Sequence, residues 1–197
     1  YLKIAFYKIS FGVVLVVFSQ IFDLYIFEYL GYFEVLLGFI FFIYQLYLIF
    51  KTKVRKQKDI YYRYIVFSVI NFIIALVLVC FYFVLSNDYL LFISGFIFLL
   101  GFLTTIITAH LYKIIPFLVW FYRFSNLVGK QKVPMLADMV PVKSSDFGFA
   151  FYLLGFILSL IAFIFSSDIL FKSAVSFLFV GTSFIVKDVF YIINFKG

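Results

Sequence analysis

The chain has one histidine, His110. It closes a run bearing Thr104, Thr105 and Thr108, and stands ahead of Tyr112, Lys113 and Pro116. An imidazole in apolar surroundings can ligate a haem iron or another metal, or carry a proton. Helical geometry separates it from the threonines: at about 100° per residue, His110 points about 160° away from Thr108. Lys113 shares its face, and a neighbouring cation hinders protonation. Two readings stand side by side. In one His110 is an interfacial histidine at a helix C-terminus; in the other it is a haem axial ligand whose partner comes from elsewhere.

Other polar residues at membrane depth are few. Asn71 and Gln45 carry amides that need hydrogen-bond partners, because lipid offers none. Asp23 and Glu28 fall where a first apolar run ends and read as solvated interface residues. Lys172 can snorkel outward or pair with Asp168 one helical turn back. The single cysteine, Cys80, lies within an apolar run, so disulfides and cysteine-based metal clusters are excluded. No Gly-rich phosphate loop, HExxH, zinc spacing or Ser-His-Asp set is present, which argues against phosphate-binding, hydrolytic and zinc chemistry within this chain. No catalytic residue is assigned.

These residues are carried by six long apolar runs. Hydrophobic residues make up 66% of the 197 and charged residues 13%, against about 45–50% and about 25% in soluble domains. A helix needs about 20 apolar residues to cross the hydrocarbon core. The runs predict an all-α, polytopic transmembrane helix bundle forming a single transmembrane domain over residues 1–197. Its spans cover about 9–27, 32–50, 64–85, 89–111, 147–165 and 169–186.

Lys and Arg set the orientation. Fifteen of the 16 basic residues fall before span one, between spans two and three, between four and five, or after six. Lys172 alone lies near the opposite side, whose gaps carry Asp23, Glu28, Glu34, Asp88 and Asp168. Both ends are therefore expected inside, in the plasma membrane of a bacterium (its inner membrane). The net charge of +7 belongs to this pattern and not to nucleic-acid binding. The lipid bilayer is the expected partner.

Ser86-Asn87-Asp88 and Ser166-Ser167-Asp168 offer N-caps and predict tight outer hairpins. Gly148, Gly155, Ser159, Ala162 and Ser166 line one face of span five, where small residues let helices approach closely. Ser173, Ser176 and Ser183 suggest a matching face on span six, and Ser68, Asn71 and Ala75 one on span three. After span four, residues 112–141 remain apolar and form an inner interfacial segment. Pro116 offers a kink. Trp120 and Tyr122 serve as interfacial anchors, and Lys113 and Arg123 are placed for headgroups. The segment is expected to end its helix near Gly129.

The stretch from Ala109 through His110-Leu-Tyr-Lys-Ile-Ile-Pro-Phe-Leu-Val-Trp120, followed by Val133-Pro134, resembles a segment in the C-terminal half of uncharacterised bacterial multi-pass membrane proteins. Some of these are similar in helix pattern to haem-copper oxidase subunit I and related haem-bearing respiratory proteins. The resemblance covers about 30 residues. It implies that the chain is the distal half of a protein of about a dozen spans, in keeping with a sequence that opens on Tyr1. It also implies haem as a cofactor, and as partners other membrane subunits or the missing N-terminal half. The departure is that oxidases need several histidines, and one cannot hold both haem and copper.

Three functional classes follow. The first is a membrane protein or subunit of the respiratory type, non-catalytic by itself, contributing a haem contact through His110. The second is half of a secondary transporter or permease. The third is a membrane-embedded lipid-modifying enzyme, for which the inner loops offer only Asp59, Asp138 and Asp146. Transport demands broken helices and polar groups near the midplane, and in sequence those groups look scattered.

Overall fold

The computed structural model describes residues 1–52 and 59–195. Lys53, Arg55, Lys56, Lys58 and Lys196, all counted above for orientation, lie outside the described residues. The chain is 89% helical, with no strand among the described residues. Six helices are long and apolar enough to cross a membrane. The all-α transmembrane bundle expected from the apolar runs is what the chain forms. It divides into two compact units, Tyr1–Lys56 and Gln57–Gly197.

The first unit is a hairpin of α1 (Leu2–Phe22) and α2 (Tyr25–Thr52). Its turn lies at Asp23, several residues before the expected break. Asp23 adopts a left-handed conformation (φ 53°) and its N–H bonds to the Ser19 carbonyl, an αL helix stop that a short polar side chain tolerates. The charges that seemed to mark a boundary are instead satisfied within the hairpin. Lys8 Nζ donates to Glu34 Oε2 at 2.8 Å, and the Tyr32 hydroxyl donates to Glu28 Oε1 at 2.8 Å. Glu34 lies nine residues into α2, about 14 Å from the turn at 1.5 Å per residue. Lys8 and Glu34, assigned by charge counting to opposite sides, therefore form an ion pair within the hairpin. Glycines permit the approach. A Cβ on Gly12 would stand 2.7 Å from the Gly31 carbonyl oxygen, and one on Gly31 2.8 Å from that of Gly12.

The second unit begins with α3 (Ile60–Leu85), capped by Asp59, whose carboxylate accepts from Tyr62 N at 3.0 Å. Ser86 ends it in a left-handed conformation, and Asn87 caps α4 (Asp88–Phe96), accepting from Tyr89 N at 3.0 Å. The expected outer hairpin is formed by these residues. The helix then widens to π geometry over Ile97–Leu103 and resumes as α5 (Thr104–Phe124). It does not stop at Pro116, which lies buried inside α5. A 3-10 turn at Ser125–Leu127 follows, and Gly129 takes φ 82°. The α-helix stops at Phe124, five residues before Gly129, where the sequence placed its end.

A second 3-10 turn, Leu136–Met139, leads into α6 (Val142–Ile164). Ser166 is left-handed and Ser167 caps α7 (Asp168–Ile193). Helices α6 and α7 pack along small residues: a Cβ on Gly155 would meet Leu178 N at 2.6 Å, and one on Gly181 Tyr152 N at 2.6 Å. The face of α7 differs from expectation. Ser173, Ser176 and Ser183 are exposed and bond back to carbonyls four residues earlier. Ala174, Gly181, Ile185, Asp188 and Ile192 are buried instead. A serine that satisfies its hydroxyl on its own helix has no need of a neighbour, so its position does not mark an interface.

Candidate functional site

The polar interior belongs to the second unit. It runs as a seam from the turns at Ser86 and Ser166 toward the other end of the unit. Near the top, Ser94 Oγ donates across helices to the Ala75 carbonyl at 2.9 Å. About 20 Å from the turns, counting 1.5 Å per residue, Asn71 faces the π turn. Its Nδ2 donates to the Phe67 carbonyl at 2.8 Å. Gly101 packs so close that an added Cβ would stand 2.7 Å from Asn71 Cγ and 2.8 Å from Phe156 Cζ.

A π turn shifts the backbone bonding by one residue, and its carbonyls find side-chain donors. Tyr152 Oη donates to the Leu100 carbonyl at 2.8 Å, Thr104 Oγ1 to Leu99 at 2.8 Å, and Thr105 Oγ1 to Gly101 at 2.5 Å. Such turns concentrate at functional sites. Alongside this level Phe67, Phe96 and Phe156 pack with Ala75 and Ile97 as an aromatic and aliphatic wall.

At the lower end three helices converge on a carboxylate. Asp188 of α7 is fully buried. Tyr112 of α5 donates its hydroxyl to Asp188 Oδ2 at 2.7 Å. Tyr64 of α3, also fully buried, stacks on Tyr112 with centroids 6.0 Å apart and planes 19° apart. It lies within electrostatic reach of the carboxylate. Among the described residues, three buried side-chain atoms have no hydrogen-bond partner: Tyr64 Oη, Asp188 Oδ1 and Ser144 Oγ. Two of the three belong to this cluster. Asp188 is 20 residues beyond Asp168, so it stands about 30 Å from the hairpin turns, level with the far edge of a typical hydrocarbon core.

The basic residues beside these three positions all turn away. Arg63 Nη1 pairs with Asp146 Oδ1 at 2.9 Å. Lys113 Nζ lies 4.4 Å over the Tyr61 ring, and Lys187 Nζ 5.4 Å from the Phe184 centroid. No ion pair to Asp188 exists among the described residues, where Lys8–Glu34 and Arg63–Asp146 are the salt bridges.

Asp188 was not singled out in sequence, because Lys187-Asp188 reads as the charged end of a span closing at Val186. A signal was present. Ala174, Gly181 and Asp188 follow steps of seven, so Asp188 continues the small-residue stripe that packs on α6.

The sequence-predicted residues lie as follows. Asn71 is part of the seam, as are Ser68 and Ala75 on the same face of α3. Gly155, Ser159 and Ala162 are buried on α6, with Gly155 against α7. His110 is exposed on α5, turned away from buried Thr108. Its Nδ1 lies 2.7 Å from the Ile106 carbonyl, and its ring meets Tyr61 edge-on at 5.9 Å. A nitrogen facing a carbonyl must carry the proton, which leaves Nε2 as the nitrogen available to a ligand. Among the described residues no three His, Cys, Asp or Glu side chains gather as a metal site. Among the described residues, His110 Nε2 is the imidazole nitrogen that an axial contact to a haem would use.

On the last turns of α5, Trp120 Nε1 donates to the Pro134 carbonyl of the segment that follows at 2.9 Å, and Arg123 Nη1 to the Phe195 carbonyl at 2.7 Å. Met139 is fully buried. The segment folds back on the end of α5, while Tyr122 and Met135 are exposed. No protein-family model, curated protein or solved structure matches this chain.

Proposed function

We propose that this integral membrane protein is an ion-translocating unit of the transporter or permease kind, with its path along the polar seam of α3–α7. The observation that carries the reading is the fully buried Asp188 with one carboxylate oxygen unpaired. An ionisable group inside a membrane bundle is costly and marks a functional site by default, commonly an ion or proton pathway. The π turn at Ile97–Leu103 supports it further, because interrupted helices with polar neighbours build binding sites in transporters. Asn71, Tyr152 and Thr105, scattered in sequence, meet at that turn. On this reading the chain sits in a bacterial inner membrane with both ends inside, as half of a larger transporter or alongside other membrane subunits.

Reconstitution tests this. Liposomes holding the full chain are placed under a salt gradient and, separately, a pH gradient. Flux is followed with a potential-sensitive dye and a trapped pH dye. Dissipation above that of protein-free liposomes is expected, reduced about tenfold by Asn71→Ala, which opens the Gly101 contact and removes a hydrogen bond worth about 1 kcal/mol. Vesicles as tight as the protein-free controls under both gradients would overturn the reading.

A second reading, a haem-associated respiratory-type subunit, is favoured by His110. Its ring is oriented by the Ile106 carbonyl, the arrangement that second-shell partners impose on metal-binding histidines. His110 would hold one axial position, and haem would supply electron-transfer chemistry. The other ligand would come from a partner subunit or from the N-terminal half of a longer protein.

A further inference from the structure

Burying a carboxylate is tolerated when the charge is paired or coordinates a cation. Asp188 has one hydrogen bond, from Tyr112, and no counter-charge among the described residues. Among the described residues, the charged and titratable neighbours from the packed elements are held by other partners, exposed, or neutral. From α3, Arg63 is held by Asp146 and Tyr64 is unpaired. From α5, Lys113 lies on Tyr61 and His110 is exposed with Nδ1 on Ile106. From α6, Tyr152 is bound to Leu100, Asp146 to Arg63, and Lys143 is exposed. On α7 itself, Lys187 lies on Phe184 and Tyr191 is exposed.

We propose that Asp188 Oδ1 and Tyr64 Oη, at the meeting of α3, α5 and α7, bind a small monovalent cation, either a proton or a sodium ion. One carboxylate matches one positive charge. A divalent ion suits the cluster poorly, since calcium takes six to eight oxygen ligands and magnesium a near-ideal octahedron. The unpaired oxygens here are two. Tyr112 donates to Oδ2, which leaves Oδ1 as the carboxylate oxygen for the cation. The site stands about 30 Å from the hairpin turns, on the end of the unit where Arg63, Lys113, Lys143 and Lys187 lie, and a cation would load from that end. The inference rests on the transport reading and names its cargo and loading position.

The test is an equilibrium one, on the full chain in lipid nanodiscs, where no gradient exists. Sodium chloride is titrated against choline chloride at fixed pH, and pH is titrated in sodium-free buffer. The unfolding midpoint is read in both series, with sodium-22 binding alongside. A ligand that binds only the folded state raises the midpoint as its concentration rises. Wild type is expected to respond in one series, and Asp188→Asn in neither. A sodium response identifies sodium as the ligand, and an acid response without one identifies the proton. Tyr64→Phe keeps the carboxylate and removes the second oxygen, and is expected to need about tenfold more of the responding cation.

No Asp188-dependent response in either series overturns the proposal. If Asp188→Asn does not fold, Tyr64→Phe and Tyr112→Phe decide it, and wild-type titrations in both would overturn it. Binding without flux sinks the transport reading and leaves the site standing. Wild-type flux that persists undiminished in Asp188→Asn, with no Asp188-dependent cation response in wild type, sinks the site alone.

Discussion

A histidine whose Nδ1 donates to a backbone carbonyl has its tautomer and ring orientation fixed, and presents Nε2 as its basic nitrogen. His110 is held this way by Ile106 on an exposed face of α5. The haem reading therefore makes a sharp demand. Protein purified with haem supplied should show a Soret band, and His110→Ala should lose it while folding normally, since an exposed side chain contributes little to packing. A spectrum without the band in haem-loaded material sinks that reading. At this scale the sequence was only half legible. The angular separation of His110 from Thr108 follows from helix geometry alone and is what the structure holds. Asp188 was hidden for a physical reason: a carboxylate beside a lysine at a span's end looks solvated, and only the packing of α3 and α5 over it removes the water.

The close crossing of α6 and α7 decides how α7 presents Asp188. At Gly181 an added Cβ would stand 2.6 Å from Tyr152 N and 2.9 Å from its Cα, which are backbone atoms that cannot rotate away. Gly181→Val is expected to force the helices apart and destabilise the protein by about 1–3 kcal/mol, as overpacking does. A lowered unfolding midpoint in nanodiscs would show it. Gly95 on α4 is the control, since nothing lies within 4 Å of its added Cβ. Gly95→Ala should be neutral or stabilising by about 0.5–1 kcal/mol. Equal midpoints for the two variants would mean that the crossing is not close in the membrane. The small-residue stripe of α6 was readable because glycine and alanine have no use on a lipid face except to admit a neighbour. The serine stripe of α7 misled because hydroxyls satisfy themselves on their own helix. The π turn left no sequence mark, and Gly101 within it packs between Asn71 and Phe156.

Over the whole molecule the bilayer decides which faces may be apolar, and the basic residues decide which end faces the cytoplasm. The described part of the second unit carries Arg63, Lys113, Arg123, Lys130, Lys132, Lys143 and Lys187 at one end and Lys172 near the other, the bias from which both ends are expected inside. Spans were legible because about 20 apolar residues have no other use. Their ends were less so, because Lys8 and Glu34 pair inside the hairpin and charge ceased to mark a boundary. Orientation is open to direct measurement. Cys80 is the one cysteine, so Cys80→Ser gives a clean background for single cysteines at the exposed positions Asn87 and Lys130. A membrane-impermeant maleimide added to intact cells should label position 87, and label position 130 only after permeabilisation. The reverse pattern would invert the bundle. It would also turn the Asp188 end outward, so that a cation would reach Tyr64 and Asp188 from outside the cell and the direction of loading would change with it.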